Sequence, residues 1–165
     1  LTYRKSRIAG GCSNFQPSLI PLSEESAEVL LRDYTSARKI NLSSSHDGGL
    51  TWPFSKAIEL PNPDAGISGL RLSDGRLLIA FNDSAKDRSN LTLAIASKDR
   101  KTWRRIVALE NEPDANFSYP FLMRSSDGMI RMAYTRKGKA IALTSFNEAW
   151  LNDPKKTQEA NGSNQ

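Results

Sequence analysis

The sequence has almost none of the side chains on which metal and redox chemistry depend: 165 residues hold one cysteine, Cys12, and one histidine, His46. A single thiol excludes an intrachain disulfide framework and a cysteine-rich metal site. One imidazole gives little support to a multi-histidine zinc site or to a Ser-His-Asp system within the chain. His46 lies in a turn-like phrase and is read as a turn residue. There is no glycine-rich phosphate loop and no metal-ligand spacing, so no cofactor is expected. No apolar run approaches the roughly 18–20 residues that span a bilayer, which predicts a soluble protein with no membrane partner. The opening "LTYRKSRIAGGCSNF" lacks the apolar core of a signal peptide. It begins with Leu1 rather than Met, which leaves room for a lost leader or a larger N-terminal region, and the compartment stays open. The net charge is +5, yet the basic residues are scattered, with no Lys/Arg block and no basic helix. Nucleic acid is therefore not the expected partner. Asn-x-Ser/Thr triplets, those at Asn41, Asn90, Asn116 and Asn161 among them, would matter only in a secretory pathway.

What is present is a globular composition, with 38% hydrophobic and 25% charged residues, in a chain long enough for one domain with a core. Three stretches align: "PSLIPLSEESAEVLLRD" from residue 17, "ISGLRLSDGRLLIAFND" from 67 and "YPFLMRSSDGMIRMAYTR" from 119. Each reads as an apolar strand, a turn and a second apolar strand, with offsets of 50 and then 53 residues. The turns are Glu24-Glu25, Asp74-Gly75 and Asp127-Gly128. Asp-Gly between alternating apolar residues is a strong hairpin signal, because both residues tolerate the backbone of a tight turn. A second hairpin follows the first two copies, and "KGKAIALTSF" follows the third. Units of about four short strands repeating every fifty residues predict an all-β fold, a β-propeller of about three blades. The blades are expected over residues 1–150. The polar stretch 151–165 reads as a disordered tail.

Between the strands of the second hairpin stands an unusual phrase. "SHDGGLTW" occupies residues 45–52, and "SKDRKTW" repeats it over 97–103. The expectation is a folding device: Asp47 accepts from turn amides, the glycines permit the reversal, and Trp52 packs back between strands. The phrase resembles the Asp box of the sialidase (neuraminidase) repeat, Ser-x-Asp-x-Gly-x-Thr-Trp. Ser45, Asp47, Gly49, Thr51 and Trp52 match. The second copy is one residue shorter and keeps Ser97, Asp99, Thr102 and Trp103 without the glycine. The resemblance covers the chain to about Trp150 and implies the C-terminal half of a six-bladed propeller. In that family the boxes lie on the rim, away from the active site.

Three residues stand where propeller chemistry is expected, near the axis. Arg32 ends the first hairpin, Arg88 precedes "NLTL", and Tyr119 opens the third inner strand, nine residues ahead of Gly128. By itself each has a plainer reading, as strand packing or a surface ion pair. The resemblance implies that Arg32 and Arg88 are the second and third substrate-binding arginines and that Tyr119 is at the nucleophile position. Guanidinium forks suit the carboxylate of sialic acid. A neutral phenol approaches that charged centre more easily than a carboxylate does, and sialidases are the exception to the two-carboxylate scheme. The position of the family's activating glutamate holds Gln16, which cannot act as a base. Glu110 and Glu112 are the nearest carboxylates to Tyr119 in sequence. The family's first arginine and its acid/base aspartate come from N-terminal blades that this sequence does not include. Two functions are therefore expected. One is a sialidase-like hydrolase fragment or relic that recognises an acidic sugar, sialic or uronic. The other is a non-catalytic carbohydrate-binding or protein-interaction half-propeller that closes as a homodimer.

Overall fold

The computed structural model describes residues 3–9 and 13–153. Cys12 and Asn161 fall outside them, as does the expected tail from residue 154 onward. Eleven antiparallel strands form three sheets in chain order. The first holds β1 (Asn14–Pro21), β2 (Ala27–Asp33), β3 (Lys39–Ser45) and β4 (Lys56–Pro61). The second holds β5 (Ser68–Arg71), β6 (Leu77–Phe81), β7 (Asn90–Ala96) and β8 (Trp103–Asn111). The third holds β9 (Phe117–Arg124), β10 (Ile130–Arg136) and β11 (Ala140–Phe146). Strands pair only with their neighbours in sequence, as a propeller blade requires. The three-blade, all-β architecture is thus the one the repeats predict.

Where a fourth strand would continue the third sheet, the described chain instead makes one helical turn, α1 (Glu148–Leu151). Asn147 caps it by accepting from the Trp150 amide at 2.9 Å. Leu151, which the repeat pattern assigned to the tail, is buried. Glu148 accepts from both the amide and the hydroxyl of Ser73, at 2.9 and 2.5 Å, and pairs with Arg124. The third blade is thereby tied to the hairpin turn of the second.

Two apolar layers hold the blades face to face. Ile20, Leu30, Ile40, Leu77, Ile79 and Phe81 fill the space between the first and second sheets. Leu78, Leu91, Leu93, Phe117, Met132 and Ile130 fill the space between the second and third. β6 contributes to both layers, with Leu77, Ile79 and Phe81 on one face and Leu78 and Ala80 on the other. All five of its residues are fully buried, which is why it reads as an unbroken apolar run rather than an alternation.

Near the axis the inner strands meet without a ladder between them, and a serine hydroxyl does the joining. The Gly69 amide donates to Ser18 Oγ at 2.9 Å, and the Leu122 amide donates to Ser68 Oγ at 2.8 Å. Gly69 sits close against the core: a Cβ would lie 2.3 Å from Ile20 Cδ1 and 2.9 Å from Leu30 Cδ1, so both buried side chains would have to move. Beyond the third sheet, Phe121, Met123, Ile141 and Leu143 stand exposed, Leu143 at 81%. Ala133 pairs with both Phe121 and Leu143, so these side chains share one face.

The Asp boxes behave as turns. Asp47 Oδ1 accepts from the Leu50 and Thr51 amides, each at 3.0 Å, and from Ser45 Oγ at 2.8 Å. Its Oδ2 accepts from Thr51 Oγ1 at 2.6 Å. Trp52 Nε1 donates to the Gly49 carbonyl at 3.0 Å, closing the loop. In the second box Arg100 takes the left-handed backbone, at φ 62°, that glycine supplies in the first. Its side chain crosses to the first blade, pairing with Glu28 at 3.0 Å and donating to the Gly75 carbonyl at 3.1 Å.

Two outcomes follow from this packing. Gly69→Ala should destabilise the protein by about 1–3 kcal/mol, because both facing side chains are locked in the core; a denaturant midpoint measures it. Asp47 is held down to about 2, first by the Thr51 hydroxyl and then by the Thr51 amide and the Ser45 hydroxyl. A depressed carboxylate adds stability that is present above its unfolded value, near 3.8, and is lost as the pH falls toward 2. Asp47→Asn should therefore melt below the wild type at pH 6, and the gap should narrow steeply as the pH falls from about 4 toward 2.

Candidate functional site

At one end of the inner strands the chain leaves ordinary backbone in two equivalent places. Gln16 has φ 47° and Tyr119 has φ 55°, both in the left-handed region and both directly before a proline. Each sits in a bulge. Phe15 pairs with Arg32 and Ser18 with Leu30, so Gln16 and Pro17 together face Leu31. Ser118 pairs with Thr135 and Phe121 with Ala133, so Tyr119 and Pro120 together face Tyr134. Bulges that place two residues opposite one re-aim a side chain. Strained non-glycine backbone of this kind concentrates at functional sites. Gln16, Gly66 and Tyr119 each precede their turn position by nine residues, at Glu25, Gly75 and Gly128. They are the same position in three successive blades.

The three positions converge. A Cβ on Gly66 would lie 3.3 Å from Tyr119 Cδ1 and 3.6 Å from Gln16 Oε1, so Gln16 and Tyr119 flank the glycine of the middle blade. The arginines complete the cluster. Arg32 follows the first hairpin and donates from Nη1 to Gln16 Oε1. Its Nε donates to Asp64 Oδ1 at 2.6 Å, in an ion pair whose side chains are 15% and 33% exposed. Arg88 donates from Nη2 to the Asp64 carbonyl at 2.6 Å, and its Cζ stands 5.8 Å from the centre of the Tyr119 ring. All four residues singled out from the sequence therefore lie together: Gln16, Arg32, Arg88 and Tyr119.

Sequence reasoning missed Asp64, which links the two arginines through its side chain and its backbone. Asp64 has φ 60° and sits in a loop braced by buried Asn62. The Asn62 side chain accepts from the Ala65 amide and donates to the Ala65 carbonyl, both at 2.9 Å. The hydrogen bond from Arg32 keeps the Asp64 carboxyl below its ordinary value against some desolvation, with Coulombic help from Arg32, Arg38 and Arg88. Also missed was Phe15, which lies under Arg32 at 5.7 Å and stacks on Tyr34 at 4.8 Å between ring centres. The recurring "PDA" of residues 63–65 and 113–115, with both aspartates at positive φ, was the available signal for Asp64.

Glu110 and Glu112 are committed elsewhere. Glu110 accepts from the Tyr134 hydroxyl at 2.6 Å and from Arg136 at 2.9 Å. Burial, followed by that bond, pushes the Tyr134 phenol up to about 12. Glu112 pairs with Lys137 at 2.6 Å. Directly beyond the cluster, an open channel of about 510 Å³ runs along the inner strands, beginning at Pro17, Ile67 and Pro120. Among the described residues no group of three or more His, Cys, Asp or Glu side chains is placed to hold a metal ion, and no helix is long and apolar enough to cross a membrane.

Residues 1–132 match the family model of the BNR repeat-like domain. No curated protein matches the chain. Among solved structures, a leech intramolecular trans-sialidase is similar at 17% identity and a TM-score of 0.68, over 91% of this chain and 26% of that one. The intramolecular trans-sialidase from Ruminococcus gnavus is similar at 19% identity and a TM-score of 0.65, over 86% and 34%. An alpha-L-arabinanase from Penicillium chrysogenum is similar at 17% and 0.65, over 82% and 46%. Likeness at these identities is likeness of fold, that of a partial β-propeller, and the chain spans less than half the length of each.

Proposed function

This chain belongs to the family of BNR repeat-like domains, and from that premise we propose that it is the C-terminal half of a sialidase-like glycoside hydrolase, or a relic of one, that recognises an acidic sugar such as sialic acid. The convergence of Arg32, Arg88, Gln16 and Tyr119 around Gly66 is the observation that carries this reading. Two guanidinium groups at one end of the blades suit a ligand carboxylate. Tyr119, on its bulge and 51% exposed, would be the residue that attacks the anomeric carbon in this reading. The neighbours named as trans-sialidases point to sialic acid within the wider glycosidase fold.

Turnover asks for more than these residues supply. The phenol must lose its proton as it attacks, the leaving oxygen must gain one, and Gln16 can do neither. An acid/base carboxylate and a further arginine would come from other blades, carried by a longer polypeptide. The intact protein should hydrolyse a fluorogenic sialoside, and Tyr119→Phe should abolish release of the fluorophore. An intact protein that ignores sialosides but cleaves another sugar would overturn the substrate assignment.

A second reading has its own observation, the exposed face of Phe121, Met123, Ile141 and Leu143. A face of this kind suits a neighbouring blade, and two copies of a three-blade chain could close a ring with two-fold symmetry. Such a dimer would bind an acidic sugar without turning it over. Light scattering after size exclusion should then report about twice the 18.3 kDa of the chain. A stable monomer would rule the dimer out.

A further inference from the structure

A guanidinium presents two edges to a carboxylate, one through Nε and Nη2 and the other through Nη1 and Nη2. Arg32 has a donor engaged on each: Nε is held by Asp64 at 2.6 Å and Nη1 by Gln16. A ligand carboxylate therefore finds Nε already taken and must compete with Gln16 for Nη1, so Arg32 offers a full fork only against these two partners. Arg88 differs. It spends one Nη2 bond on the Asp64 carbonyl and lies over Tyr119, and among the described residues its Nε and Nη1 take no hydrogen bond.

We propose that Asp64 is a specificity-determining residue, an internal carboxylate that occupies Arg32 and makes the site answer to an acidic ligand mainly through Arg88. The inference rests on the acidic-sugar reading given above and adds what limits it. Three features support a built role rather than a chance surface pair. The pair is only partly solvated, with the Arg32 side chain 15% exposed. The left-handed backbone of Asp64 is held by the buried Asn62 bracket, which keeps its side chain directed at Arg32. The same residue fixes Arg88 through its carbonyl, so both arginines are referred to one point. The local charge of Arg32, Arg88 and Asp64 sums to a single positive unit, and a ligand carboxylate must approach an existing negative one.

Asp64→Asn tests this because the amide oxygen still accepts from Arg32 Nε while the charge is removed. Calorimetric titration of the full chain with N-acetylneuraminic acid, and separately with its methyl ester, gives the readout. The variant should bind the acid about tenfold tighter, the scale of one like charge removed at contact distance in a half-solvated site. Its affinity for the uncharged ester should be unchanged. Gln16→Ala opens the other edge without changing charge and should give a smaller gain for the acid alone. Acid binding by the wild type that is equal or weaker in Asp64→Asn would overturn the specificity role and leave the acidic-sugar reading standing. Acid bound by neither form would overturn both.

Discussion

Everything at the axis depends on how closely the inner strands approach one another. Adjacent blades do not share a backbone ladder there, so each inner strand brings amides that need acceptors from elsewhere. Ser18 and Ser68 meet this need, one hydroxyl for each junction. Both lie two residues beyond the equivalent position of their own blade, Gln16 and Gly66. The hydroxyl that joins two blades thus lies beside the residues that converge at the site. Gly69 lets the sheets come within that reach, and Gly66 leaves room for the Tyr119 ring.

The rim and the axis divide the work of the molecule. On the rim, Asp47 and Asp99 spend their carboxylates on amides and hydroxyls within a few residues, and the result is a closed turn. At the axis, Asp64 spends its carboxylate on an arginine 32 residues away and its carbonyl on another 24 residues away. The residue type is the same, but the partners at the axis are cations brought together from different hairpins. A turn carboxylate bonded within its own loop stabilises that loop, whereas an ion pair between distant segments shapes the field met by anything that enters.

Much of the fold was legible because its signals are local. Asp74-Gly75 and Asp127-Gly128 mark their hairpins through turn chemistry alone, and both glycines adopt the expected positive φ. Ser45 to Trp52 forms a network within eight residues of sequence. The third blade was less legible. Asn147 is a good N-cap, but a cap says nothing about whether the following turn packs, and Leu151 is buried within the core layer that the second and third blades share. The site was legible in part. Arg32 and Arg88 stand near strand ends that the repeat exposes, and Tyr119, expected to open its strand, lies two residues inside β9. Asp64 stands in a loop whose letters announce only a turn, and its partners are set by blade packing. Glu110 shows the opposite case: near Tyr119 in sequence, it points along β8 toward Tyr134 and Arg136.

The bare outer face of the third sheet has a consequence for how the protein is made. Each blade folds from hairpins that are neighbours in sequence, so it can form as soon as its own fifty or so residues leave the ribosome. Its far side stays wet until the next blade arrives, an interval of several seconds at about 5–20 residues per second. The first two blades are covered in turn as translation proceeds. Phe121, Met123, Ile141 and Leu143 have no such cover among the described residues. Until a neighbouring blade covers it, that face is an exposed apolar surface of the kind that draws other chains together.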